Sequence, residues 1–118
     1  MIELTVLNYL KDKFPNTPVV MEIVPGMAQE FILIEKTGSG QSTFSVSSDL
    51  LTRSTFAVQS WSSSLYGAMS LNDQVKSAML DITSIKEVSD VELNSDYNYT
   101  DTETKHPRYQ AVFDIVHY

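Results

Sequence analysis

The closing stretch from Val91 to Tyr118, VELNSDYNYTDTETKHPRYQAVFDIVHY, constrains this chain more than any other part of it. Two strand-like runs stand back to back around a charged turn, Asp101 to Arg108. In the first, Asp90, Glu92, Asn94, Asp96 and Asn98 share one parity, while Val91, Leu93, Ser95, Tyr97 and Tyr99 share the other. Such period-two alternation predicts a half-buried strand with one wet, acidic face. In the second run, Tyr109, Ala111, Phe113 and Ile115 oppose Val112, Val116 and Tyr118, so the strand is apolar on both sides and belongs inside a sheet. Nothing in either run has the look of an active site.

At 118 residues the chain suits one domain, 1–118, because a second core would leave neither half stable. It contains no cysteine, which removes disulfides, zinc ribbons and thiol nucleophiles from consideration. The opening MIELTVLNYLKDKF carries Glu3 early and has no long apolar run, so it reads as neither a signal peptide nor a membrane span. The expectation is a chain made in the cytoplasm, with no membrane partner. Of the net charge of −7, the segment from Asp81 to Glu103 supplies −6, with seven acids against Lys86 alone. Phosphate-binding folds show the opposite bias, which argues against DNA binding.

Upstream, Ile2, Val6, Leu7, Leu10 and Phe14 fall at helical spacing and predict an amphipathic helix closed by Pro15 and Pro18. VVMEIV (Val19–Val24) is β-branched and too short for a helix. EFILIEKT (Glu30–Thr37) sets Phe31 and Leu33 against Ile32 and Ile34, a strand covered on two sides, and the pair is expected to form a hairpin. The Ser/Gly-rich stretch from Gly38 to Leu51 predicts a long loop, functional or mobile. TRSTFAVQSW (Thr52–Trp61) resumes as a strand. Ser62, Ser63 and Ser64 then offer caps for a long helix with a stripe of Leu65, Ala68, Met69, Asn72, Val75, Met79 and Ile82.

The elements thus run helix, three strands, long helix, two strands. This predicts an α+β fold: a mixed, mainly antiparallel sheet of about five strands with two helices packed on one face. Strands apolar on both sides would leave the second face too hydrophobic for a lone monomer, which predicts an oligomer or a permanent partner.

Candidate chemistry is sparse. His106 and His117 are the only histidines, one in a turn and one at a strand end, where surface histidines are common. Asp96, Asp101 and Glu103 could gather a hard cation, and a small metal-dependent hydrolase is the enzyme reading that follows. DYNYTDTET, however, lacks the oxygen-ligand spacing and glycine of an EF-hand loop. Gly38-Ser-Gly40 has no phosphate-loop continuation, and the serines near Trp61 lack a nucleophile elbow. The expectation is therefore a protein that is not an enzyme, with no catalytic residues, no metal and no cofactor. Trp61 and Tyr118 read as aromatic interface anchors, and Arg53, Lys105 and Arg108 as partners for acids of an adjoining subunit. The acidic face carrying Asp90, Glu92 and Asp96 reads either as a solvated strand face or as a surface past which an anionic polymer slides without sticking.

The run TDTETKHPRYQAVFDIVHY, with VELNSDYNYT ahead of it, resembles small tail completion proteins of long-tailed phages and prophages of Gram-positive bacteria. The opening helix, VVMEIVPG, FILIEKTGSG and TFAVQSWSSSLYGAM agree, while the segment from Gln41 to Arg53 matches least. The resemblance implies a virion structural protein, similar to the lambda tail terminator, that assembles as a ring, often hexameric. Such a ring caps the tail tube, contacts the tail-tube protein and offers a surface to head–tail connector proteins. DNA would pass through it without specific binding, past a lumen lined by Asp90, Glu92 and Asp96. The loop Gly38–Asp49 and the turn Asp101–Arg108 would then be contact surfaces. The same resemblance leaves a neck or head-completion role open.

Overall fold

The computed structural model describes residues 1–23, 26–41, 51–103 and 105–118. Helix α1 (Ile2–Lys13) leads to β1 (Val19–Val20), β2 (Phe31–Gln41) and β3 (Thr52–Trp61). Helix α2 (Leu65–Leu80) and a short 3₁₀ turn (Ile82–Ser84) follow, then β4 (Val88–Asn98) and β5 (Arg108–His117). The five strands form one sheet in the order β1-β2-β3-β5-β4. β1 pairs with β2 in parallel and every other pair is antiparallel. The α+β class, the five-stranded mixed sheet and the two helices agree with what the sequence predicts.

Both helices lie on one sheet face because their apolar stripes find the same partner. Ile2, Val6 and Leu10 of α1, and Leu71, Val75 and Met79 of α2, join Ile32, Ile34, Phe56, Val58, Ala111, Phe113 and Ile115 in one core. α2 starts where Ser64 accepts a hydrogen bond from the Gly67 N–H at 3.0 Å, supplying a partner to an otherwise orphaned first-turn donor. A Cβ on Gly67 would overlap the Ser62 hydroxyl and stand 3.0 Å from that of Ser64, so a larger residue there would force Ser62 to turn aside. The stripe of α2 is turned slightly from the expected one: Leu71 is buried, while Leu65 and Met69 are exposed. Tyr9, not singled out by periodicity, donates from its hydroxyl to the Ala78 carbonyl at 2.7 Å and ties α1 to α2. Burial, with the Asp81 charge second, raises the pKa of that phenol.

Four expectations need correction. The first two strands form no hairpin: β1 is two residues long, and the chain returns through residues 21–30 to lay β2 parallel to it. Next, β2 runs on to Gln41 through part of the expected loop, paired from Gly38↔Thr55 to Gln41↔Thr52 after a shift at Thr37. Backbone pairing needs no side chain, so Gly and Ser do not end a strand that has a neighbour. The remainder of the Gly38–Asp49 loop, residues 42–49, lies outside the described residues.

The third correction concerns β4. Its register shifts between Leu93 and Ser95, opposite Phe113 and Val112, which is a β-bulge. One extra residue reverses which side every following residue faces. Glu92 lies beside Asp114 on the open face, whereas Asp96 lies beside Ala111 on the helix-covered face. The acidic face of Asp90, Glu92 and Asp96 is therefore divided between two sides of the sheet, and a single acidic lining built from these three residues does not exist.

The fourth is the second sheet face. It is not a greasy flank. Its apolar part is a small cluster of Phe31, Leu33 and Trp61, closed over by Val20 and Met27. The rest carries hydrogen-bonded polar side chains around Ala57 and Val112.

Candidate functional site

The helix-free face holds two polar clusters, set apart by the row Ala57, Val112 and Ser95, which register places side by side. Each cluster is built by neighbours across strands, because residues directly opposite on one face bring their side chains together.

The first cluster centres on Asp114, whose residue is 7 % exposed. Its carboxylate accepts from Thr55 Oγ1 at 2.7 Å, Arg53 Nη2 at 3.0 Å and Asn94 Nδ2 at 3.1 Å. Glu92 approaches the same guanidinium at 3.8 Å from a mostly exposed position. Burial alone would raise the Asp114 pKa. The bonds from Thr55, Asn94 and Arg53, with the Arg53 charge, outweigh it and hold the group below its ordinary value. Arg53 is thus committed to its own chain.

The second cluster starts at Trp61, which is only 8 % exposed. Its indole N–H donates to Gln59 Oε1 at 2.9 Å, Gln59 Nε2 donates to Gln110 Oε1 at 2.9 Å, and Gln110 Nε2 donates to Tyr97 Oη at 2.6 Å. The bonds run one way across three strands. Around the indole, Phe31 stacks at 5.1 Å between ring centroids and His106 meets it edge-on at 4.8 Å. His106 Nε2 also lies 3.1 Å from the Gln29 carbonyl. A cavity of about 240 Å³ opens beside this group, lined by Ile23, Met27, Phe31, Trp61 and His106 among others.

Arg108 completes this end. Its guanidinium carbon sits 4.6 Å from the Trp61 ring centroid and 4.7 Å from that of Tyr99. Its Nε donates to the Tyr99 carbonyl at 2.6 Å. The turn is tied shut beneath it: Tyr99 N donates to Arg108 O at 2.9 Å, and Arg108 N donates to Thr100 Oγ1 at 3.1 Å. Lys105, in the left-handed region at φ 55°, is exposed on the same turn.

The residues expected at interfaces are therefore unevenly placed. Trp61 is interior and braces Arg108, so it is not itself a protruding anchor. Tyr118 is 64 % exposed at the chain end, and its N–H donates to Glu87 O. Asp96 forms an ion pair with Lys76 of α2, whose ammonium pKa is raised chiefly by that hydrogen bond. The three proposed cation ligands do not come together: Asp96 holds Lys76, and Asp101 Oδ1 accepts from the Glu103 N–H at 2.9 Å. Among the described residues no three metal-ligating side chains gather in one place.

His117 departs from the expected surface position. It is 7 % exposed, with Nε2 2.8 Å from Ser54 Oγ and Nδ1 3.2 Å from the Tyr118 carbonyl. The distances suit a nucleophile and its base. Ser54, however, is 0 % exposed, and no substrate atom can reach its hydroxyl in this packing. The pair is a satisfied polar contact at the end of the core. Spacing along the chain could not show it, since strand pairing brings together residues far apart in sequence.

The molecule is thus an open-faced α+β domain whose polar chemistry is spread over the helix-free face of its sheet. Compared with known protein families and with curated proteins, the chain matches none. No helix among the described residues is long and apolar enough to cross a membrane.

Proposed function

We propose that this chain is a virion structural protein that completes the tail tube of a long-tailed phage and presents the tail-side surface for head–tail joining. Its partners are then copies of itself in a ring, the tail-tube protein and the connector proteins of the head, with DNA passing through without specific binding. It acts in the host cytoplasm during assembly and at the head-proximal end of the tail afterwards. The work is geometric, carried out by surfaces, and needs neither catalysis nor a cofactor.

The observation that carries this reading is the exposure of sheet on three sides. Both helices cover one face, leaving the other face open. β1 pairs only with Ile32 and Leu33, so the flank of β2 from Ile34 to Gln41 meets no strand among the described residues. β4 forms the opposite margin over its full length. An elongated subunit of 48 × 26 × 24 Å with open margins suits head-to-tail packing of identical copies into a closed ring. The sequence resemblance in TDTETKHPRYQAVFDIVHY supports the same reading.

The test is electron microscopy of tails assembled without this protein. Over-long tails are the expected result of lost termination. Tails of normal length that fail to join heads would shift the role to the neck. Normal tails on infectious particles would refute the proposal.

A further inference from the structure

The chain has two arginines, and they are treated in opposite ways. Arg53 is paired with Asp114 at 3.0 Å and Glu92 at 3.8 Å. Arg108 has no carboxylate within ion-pair reach among the described residues, and its terminal Nη groups donate to none of them. It is nevertheless held as firmly. Trp61 and Tyr99 contact the guanidinium at 4.6 and 4.7 Å, and Nε is anchored on the Tyr99 carbonyl. Tyr99 is itself braced edge-on by Tyr97 at 5.7 Å.

A free arginine side chain loses rotamer freedom when it engages a partner, and that cost reduces affinity. Here the loss has been incurred in folding, before any partner arrives. The anchored Nε leaves the two Nη groups as the free end of the fork, the geometry that grips a carboxylate with two parallel bonds. Exposed Tyr97 and Tyr99, 41 % and 43 % accessible, edge the position with aromatic surface. Arg, Trp and Tyr together are the composition of interface hot spots.

We propose that Arg108 is a preformed socket for a single carboxylate on a second copy of this chain. Charge complementarity selects that occupant. The chain carries fifteen acids against eight bases, so most of the charged groups one copy can offer another are carboxylates. Asp101 and Glu103, only partly offset by Lys105 on the same turn, disfavour a run of phosphates more than a single carboxylate. The inference rests on the self-assembly in the proposed function and adds the residue that joins the copies.

The test is sedimentation velocity of the full chain over a concentration series up to its solubility limit, with nitrogen-detected NMR of the two arginine side chains. The expected result is concentration-dependent association that moves the Arg108 signals and leaves those of Arg53 in place. Arg108→Lys keeps the charge but loses the fork, and should weaken association about tenfold or more. Arg108→Gln should do at least as much while the fold, followed by circular dichroism, persists. Association unchanged in both variants, Arg108 signals unmoved as copies associate, or a chain monomeric at every concentration would each overturn the socket. The two proposals fail separately. Tails completed as well by Arg108→Gln as by the parent chain would remove the socket and leave the tail role. Association through Arg108 in a protein whose loss leaves tails normal would do the reverse.

Discussion

The two ends of the open sheet face use the same residue type for opposite purposes. At one end Arg53 is absorbed into the Asp114 cluster, where every charge has a partner on the same chain. At the other, Arg108 is clamped by rings and a carbonyl and left without an anion among the described residues. Electrostatic closure makes the first end a stabilising element. Rigidity without closure makes the second a place for something else to bind. The contrast shows that holding a side chain still and satisfying its charge are separate tasks.

The sharpest way to break the comparison is at Trp61. Trp61→Ala removes the stack on Phe31, the bond to Gln59 and one wall around Arg108, and should cost about 3–4 kcal/mol of stability in urea unfolding. An effect below about 1 kcal/mol would mean that this end is not rigid. Asp114→Ala strands Arg53, Thr55 and Asn94 together and should cost about 2–3 kcal/mol in the same assay, the partial exposure of Arg53 keeping it below the range for fully buried pairs.

Acid titration sharpens the same point. Because the folded Asp114 pKa lies below its unfolded value, the unfolded chain binds more protons in that window. Its contribution is fully present above the ordinary carboxylate range and is lost as pH falls through the lowered, folded value. The urea midpoint should therefore fall on acidification, and Asp114→Asn should flatten that slope. Arg108→Gln should leave the slope unchanged, since guanidinium does not titrate there.

For the isolated fold, Arg108→Gln should cost only about 1 kcal/mol, the worth of its ring contacts. A loss as large as that from Asp114→Ala would erase the distinction between the two ends. The smallest effect belongs to Glu92→Gln. That pair is long and exposed, so the stability from urea unfolding should change by less than about 0.5 kcal/mol.

How much of this the sequence disclosed follows from the range of each interaction. Periodicity placed α1, α2 and the strand Thr52–Trp61, and it marked Ile32, Ile34, Phe113 and Ile115 as apolar without telling the core face from the opposite one. These signals are local, and burial acts on each residue by itself. The misread features are relational. Whether Val19–Val20 turns back as a hairpin or pairs in parallel depends on a neighbour thirteen residues on. The bulge near Asn94 is silent in sequence, because Asp90 to Asn98 alternates without a break while register is set by Phe113 and Val112 across the ladder. Trp61 and Arg108 were both marked as contact residues, yet their being one assembly needed strand pairing to appear. The same pairing brought His117 to Ser54.

The bulge in β4 also constrains how the protein can change over generations. Loss of a single codon between Leu93 and Ser95 would rotate the remainder of the strand by half a turn. It would withdraw Asp96 from Lys76 and Tyr97 from Gln110 in one stroke, loosening the helix layer and the open layer together. The two surfaces are therefore inherited as a unit: drift by insertion or deletion at this point cannot remodel one and spare the other.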